Sequence, residues 1–254
     1  SKEHAFTADV SMAYNGVKLA PEHYCYQKYL WKQDLNPLNT TQVMVVKTLI
    51  YGVKSSGGQT IAGFNVLANH CIEHYSEHAE GAEVLKNEAY MDDIMDSEDS
   101  LEKCHEVAND ITFTLGLGNM GVKEYTFSGS KPSTTVSADG ESVGALGYLW
   151  QPERDTIRLD VKDLYLGKMK RGKRPELITG DVGEALKRKF TRRVLVGKVA
   201  GLYDPLGLIT PISAKYKLDL HGLCRLNLDW DDDVPGELLH TWVNNLTGMQ
   251  KLKP

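Results

Sequence analysis

The amino-acid sequence predicts an α+β fold: an antiparallel sheet with helices on one face, followed by a smaller, mainly helical segment. Three observations carry that reading. Residues 5–10 and 122–127 are short segments with the length and composition of strands. Residues 59–75 and 101–115 instead repeat their apolar positions at helical spacing. These are Ile61, Phe64, Ala68, Cys71, Ile72 and Tyr75 in the first stretch, and Leu101, Cys104, Ala108, Ile111 and Leu115 in the second. Between them lies Ala89-Tyr90-Met91-Asp92-Asp93-Ile94-Met95, two adjacent carboxylates with short apolar flanks, which reads as a hairpin tip. The order strand, helix, hairpin, helix, strand, strand makes a sheet covered by helices on one side.

Taken in order, residues 5–10 form a strand ending near Asp9, and Ala13-Tyr14 follow in a turn or short helix. Residues 24–31 carry Tyr24, Tyr26, Tyr29 and Trp31 and alternate like a strand. Asn36-Pro37-Leu38-Asn39 is a turn. Residues 43–51 are rich in β-branched side chains and predict another strand; residues 52–58 are a Ser/Gly-rich loop before the first long helix. The second helix stops at Gly116 and Gly118, and residues 122–127 and 144–150 read as strands separated by a polar loop. Composition changes around Gly172-Lys173-Arg174-Pro175, which divides the chain into 1–165 and 166–254. Beyond that boundary, residues 181–200 read as a basic amphipathic helix, Asp204-Pro205-Leu206-Gly207 as a sharp turn and residues 212–226 as a helix. Asp233 and Pro235 mark the start of a last helix, with Leu239, Trp242, Val243 and Leu246 as its buried stripe.

Hydrophobic residues make up 41% of the chain and charged ones 25%, as in an ordinary globular protein. No apolar run approaches the roughly 18 residues of a membrane helix, so no membrane partner is expected. Cys25, Cys71, Cys104 and Cys224 are far apart and form no Cys-x-x-Cys pair. That argues against a zinc ribbon or a disulfide framework and suits a reducing, cytoplasmic or nuclear setting. The opening on Ser1 and the strand-like Ala5-Phe6 suggest a piece of a longer polypeptide. Charge is uneven: residues 1–150 hold 10 basic against 20 acidic side chains, whereas residues 151–200 hold 14 against 7. An acidic body before a basic segment fits metal chemistry in one part and a polyanion grip in the other.

The acids supply the chemistry. A regular strand points neighbouring side chains to opposite faces, but a tight turn can aim Asp92 and Asp93 at one place. Asp9, at the end of a strand adjacent in such a sandwich, would join them. Three carboxylates there suit two Mg²⁺ ions about 4 Å apart, which clamp the attacking and leaving oxygens of a phosphoryl transfer.

On these residues the chain resembles a reverse transcriptase, and more closely the polymerase region of BEL/Pao-type LTR retrotransposon Pol polyproteins. Asp9-Val10-Ser11-Met12-Ala13-Tyr14 is similar to the first family motif and Tyr51-Gly52-Val53-Lys54-Ser55-Ser56 to the second. Tyr90-Met91-Asp92-Asp93 resembles the third, Gly121-Val122-Lys123-Glu124-Tyr125 the fourth, and Leu146-Gly147-Tyr148-Leu149-Trp150 the fifth. The runs from Gly201 to Pro211 and from Leu228 to Asp232 resemble the segment that follows the palm in BEL/Pao elements.

The resemblance implies a ferredoxin-like polymerase palm over 1–165 and a thumb- or connection-like segment over 166–254. It implies RNA- or DNA-templated DNA synthesis with Mg²⁺, for which Mn²⁺ could substitute. The expected partners are a template–primer, a deoxynucleoside triphosphate, and other Pol or Gag segments. Asp9, Asp92 and Asp93 would be catalytic metal ligands, with the Val10 carbonyl as a further ligand. Tyr14 would lie under the incoming sugar, and Tyr51 and Gly52 would contact the nucleotide. Lys123 would be the general acid for pyrophosphate, and Leu146, Gly147 and Tyr148 would grip the primer end. Only eight residues precede Asp9, so the family's fingers are not expected in this chain. The second motif also reads Ser56-Gly57-Gly58 where many relatives have Ser-Pro.

Other readings compete. A non-catalytic nucleic-acid-binding or assembly module derived from such an element is the main alternative. His70, His74 and His78 recur every four residues with zinc-ligand spacing, but a solvated polar face explains them with less. Asp229, Asp231, Asp232 and Asp233 read as a turn and helix cap rather than a second metal cluster. Lys170, Arg171, Lys173, Arg174, Lys187, Arg188, Lys189, Arg192 and Arg193 are expected to line template–primer phosphates. No Asp-Thr-Gly or Asp-Ser-Gly occurs, which rejects an aspartic peptidase. No RNase H or integrase signature is visible.

Overall fold

β1 (His4–Ser11) is the centre of the sheet because its apolar residues alternate: Phe6, Ala8 and Val10 are buried, and Thr7 and Asp9 between them are not. In the computed structural model, which describes residues 2–34, 39–132, 140–160, 165–166, 176–177 and 190–252, the chain adopts the expected α+β fold. β4 (Ala89–Tyr90), β5 (Asp93–Glu98), β1 and β6 (Gly121–Phe127) hydrogen-bond in that order, each pair antiparallel. After β1 come a single helical turn, α1 (Ala13–Gly16), and an antiparallel ribbon of β2 (Lys28–Trp31) and β3 (Gln42–Val45). Three helices follow the ribbon in sequence: α2 (Ser56–His74), α3 (Ala79–Glu88) and α4 (Leu101–Gly116). Their Phe64, Leu85, Val107, Ile111 and Leu115 share one core cluster with Phe6, Ala8, Val10 and Ile94. The helices therefore cover one face of the sheet and leave the other to the polar residues of β1.

Local chemistry sets the helix ends. Ser100 accepts the Lys103 N–H at 3.1 Å and so caps α4. α2 stops at His74, and His78 lies in a separate 3₁₀ turn, so the three histidines do not share one helical face. His78 instead places Nδ1 2.7 Å from the Asp110 carboxylate and stacks on Phe113. α3 carries no long apolar stripe; its buried residues are Gly81, Ala82 and Leu85. A Cβ on Gly81 would lie 2.3 Å from Asp110 Cβ and 2.7 Å from the Ile111 nitrogen, so glycine sets how closely α3 packs on α4.

Three expected strands differ in the structure. Residues 24–31 split into a 3₁₀ turn (Pro21–Tyr26), favoured by Pro21 at its first position, and the short β2. Residues 43–51 pair only as far as Val45, after which Lys18 and Thr48 form an isolated bridge. Residues 144–150 form a hairpin of β7 (Val143–Ala145) and β8 (Tyr148–Gln151). Positive φ at both turn residues, Leu146 (47°) and Gly147 (84°), gives the type I′ twist that a two-residue hairpin needs.

The chain divides into two compact units. One comprises residues 1–141 and 152–155; the other comprises 142–151 and 156–254. In the second, β9 (Thr156–Leu159) completes a sheet with β7 and β8, and β10 (Tyr165–Leu166) pairs with β11 (Glu176–Leu177). Its helices are α5 (Arg192–Ala200), α6 (Thr210–Cys224) and α7 (Gly236–Gln250), whose Leu195, Val199, Tyr216, Leu223, Trp242, Leu246 and Met249 form one core. Pro235 rather than Asp233 stands at the N-cap of α7, because Asp233 bridges to Thr191. The boundary expected around residues 172–175 and the start of the helix expected at 181 lie outside the described residues. All four cysteines are free, and no described helix is long and apolar enough to cross a membrane.

Candidate metal and nucleotide site

The register of β1 on β5 sets Asp9 directly opposite Asp93, and opposed residues of an antiparallel pair share a face. Because Phe6, Ala8 and Val10 face the helices, that face is the open one. Tyr90 pairs with Asp93, which leaves Met91 and Asp92 as a two-residue turn. Met91 has φ of 59° while Asp92 has no positive φ, the pattern of a type II′ turn with methionine at its usual glycine position. A non-glycine residue at such a φ costs about 1–3 kcal/mol. The Asp92 carbonyl accepts the Val10 N–H at 2.8 Å, which ties the turn to the end of β1. Asp9, Asp92 and Asp93 are thus brought to one end of the sheet.

Their charges act on one another. Burial, then the negative charges of Asp92 and Asp9, push the Asp93 carboxyl up to about 6. Among the described residues, no three His, Cys, Asp or Glu side chains close into a metal cage. One cation is already present. The register of β1 on β6 shifts between Asp9, paired with Glu124, and Val10, paired with Val122, so Lys123 is the extra residue of a β-bulge. Its Nζ lies 3.4 Å from Asp9 Oδ2. Lys123 carried no sequence signal for that contact, because the bulge depends on a partner more than a hundred residues away.

Tyr14 and Tyr51, expected to lie at a nucleotide, also meet. The Tyr14 and Tyr51 rings are 4.6 Å apart, and the Tyr14 hydroxyl approaches Met91 Sδ at 4.0 Å. Gly52 turns the loop at φ of 88°. Ser56 Oγ donates to the Ile50 carbonyl at 2.8 Å and holds the loop onto α2. Sequence reasoning did not single out Gly57 for this site, yet a Cβ there would lie 2.9 Å from Met91 Sδ. Its signal was the glycine pair where a Ser-Pro was expected.

Leu146, Gly147 and Tyr148 belong to the second unit. Tyr148 is buried; its hydroxyl donates to Asp204 and accepts the Leu206 N–H at 3.0 Å. Asp204 also accepts the N–H groups of Leu208 and Ile209, and the Tyr148 hydrogen bond is the main cause holding its carboxyl below the usual range. A Cβ on Gly147 would lie 2.3 Å from Tyr203 Cδ1. The fifth motif thus packs on the turn at residues 203–209.

Lys170, Arg171, Lys173, Arg174, Lys187, Arg188 and Lys189 lie outside the described residues. Arg192 and Arg193 are engaged within the chain. Arg192 donates to the Leu228 carbonyl at 2.7 Å, Arg193 grips the Asp231 carboxylate at 2.9 and 3.1 Å, and both lie over the Trp230 ring. Asp232 accepts the Asp229 N–H, so the acids at 229–233 serve this turn.

Residues 191–253, the segment of α5, α6 and α7, match a family model described as the Pao retrotransposon-like RNaseH-like domain. That match supports an origin in a BEL/Pao retrotransposon Pol polyprotein, and its RNaseH-like description overturns the reading of no RNase H signature and differs from the thumb- or connection-like segment expected there. No curated protein matches the chain. The acidic hairpin lies outside the matched residues.

Proposed function

We propose that the chain carries the palm of a BEL/Pao-type reverse transcriptase, with residues 166–254 as the segment that follows it, and that its chemistry is templated nucleotidyl transfer. The observation that carries this reading is Asp9 placed opposite Asp93, with Asp92 in the turn that is pinned to Val10. The donor set fits Mg²⁺: hard carboxylate oxygens at one sheet end, where burial and then the neighbouring negative charges already disfavour ionisation of Asp93. Mg²⁺ ordinarily takes one or two carboxylates together with substrate phosphates and water, so a finished protein cage is not required in advance. Asp9 and Asp92, with Asp93 and the Val10 carbonyl beside them, would hold it. When bound, the metal supplies the charge that activates a 3′-hydroxyl and neutralises the leaving pyrophosphate.

The remaining work falls to the chain's own side chains. Tyr14 and Tyr51 offer an aromatic platform for a deoxynucleotide next to the acids, and Gly57 and Met91 fix its floor. Lys123 holds the Asp9 carboxylate and keeps an ammonium within reach of departing phosphate. The same ion pair supports the second reading, a nucleic-acid-binding module in which lysine replaces the ion. Extension of a DNA primer on an RNA template with Mg²⁺ separates the two. The enzyme reading expects extension that falls at least about a hundredfold in Asp92→Asn; template–primer binding without extension in the parent chain would support the module instead.

A further inference from the structure

The ribbon of β2 and β3 has no role in the site described above, and it is exposed on both faces. A two-stranded ribbon of four residues per strand is marginal in water without something to cover it. Its register pairs Tyr29 with Met44 and Trp31 with Gln42, so these four residues share one face. Tyr29 is 45% exposed and Trp31 51%, and Tyr26, in the turn just before β2, is 81% exposed. Beyond Trp31 a cleft of about 250 Å³ is lined by Trp31, Gln33, Asn39, Thr40 and Gln42. An indole beside amide and hydroxyl groups can stack on a flat ring and pair with its edge.

Charge points the same way. Residues 18–48 hold Lys18, Lys28, Lys32 and Lys47 against Glu22 and Asp34, in a half of the chain that is otherwise strongly acidic. Aromatic rings interleaved with lysines on an open ribbon are the elements of a single-strand platform, where bases stack and ammonium groups follow the phosphates. Residues two apart on a strand are about 6.6 Å apart, twice the stacking rise of about 3.4 Å, so the backbone spacing of Tyr29 and Trp31 matches that of alternate stacked bases. A second copy of the chain added at the ribbon's edge is the rival occupant. Lys28, on β2, and Lys32, just beyond its end, oppose it, because lysine on an edge strand discourages strand pairing.

We propose that the β2–β3 ribbon is a binding site for unpaired nucleic acid, with Tyr29 and Trp31 as stacking residues and the cleft beside Trp31 as a base subsite. The site stands whether or not the acidic hairpin is catalytic. The ribbon leaves the sheet through the bridge between Lys18 and Thr48, between the segments that carry Tyr14 and Tyr51, so a strand held on it starts beside the nucleotide platform.

The test is fluorescence anisotropy of a labelled dT₁₂ oligonucleotide with the full 254-residue chain and with Trp31→Ala and Tyr29→Ala, beside Leu218→Ala, an exposed residue of α6, as a control. Both ribbon side chains are exposed, so thermal melting should not change. The expected result is affinity about tenfold weaker in each ribbon variant and unchanged in Leu218→Ala, with a duplex of the same length binding less well than dT₁₂. Equal affinity in parent and ribbon variants would overturn the proposal. So would a parent chain that sediments as a dimer and is made monomeric by the ribbon substitutions without change in dT₁₂ affinity. Loss of primer extension alone in Asp92→Asn would bear on the acidic hairpin and leave the ribbon's role intact.

Discussion

Asp93 is where the electrostatics of the site can be read most directly. Its carboxyl is pushed from 3.8 to about 6 by burial and by two neighbouring carboxylates. Between those values the folded chain holds a proton that the unfolded chain has released, so stability falls as pH rises through the window and the loss is complete above it. Asp93→Asn removes that charge. Its melting temperature should exceed the parent's by a few degrees at pH 7.5, with the difference closing by pH 4 in a thermal series; a gap that does not vary with pH would contradict the assignment. The adjacent acids were legible in the sequence because two carboxylates within a short apolar segment imply a turn. The Lys123 contact was not, because it exists only through the bulge opposite Asp9.

Among elements, the strands with alternating burial and the helices with full apolar stripes were legible, and those made by backbone geometry were not. β1, α2 and α4 follow from their patterns, and β6 from its β-branched and aromatic composition. α3 did not, because its packing rests on the absence of a side chain at Gly81 rather than on an apolar repeat. The β7–β8 hairpin was hidden in an apparently continuous strand because its turn residue Leu146 is not a turn former by type. Two glycines test this account in opposite directions. Gly81→Ala forces a Cβ into backbone and should cost about 3 kcal/mol or more in urea unfolding, whereas Gly197→Ala, exposed within α5 with open space around it, should stabilise by about 0.5–1 kcal/mol. Equal effects would show that packing at Gly81 is looser than its contacts indicate.

For the whole molecule, composition showed an acidic part and a basic stretch after it, but not which basic residues are engaged within the chain. Arg192 and Arg193 are spent on Leu228, Asp231 and Trp230, a use that no local pattern announces. The core of the second unit was legible in part, since the stripe of α7 contains Trp242 and Leu246. Trp242→Ala, at a residue 1% exposed, should lower that unit's stability by about 3–5 kcal/mol, followed by the ellipticity of its helices in urea. The central claim is that Asp9 and Asp92 act together on one divalent ion. Its most direct test is Mn²⁺ binding to the chain, followed by electron paramagnetic resonance with a deoxynucleoside triphosphate present, in the parent, Asp9→Asn and Asp92→Asn. Binding beyond that of the free nucleotide is expected in the parent and is lost in either variant; the same Mn²⁺ uptake in all three would show that Asp9 and Asp92 do not share an ion.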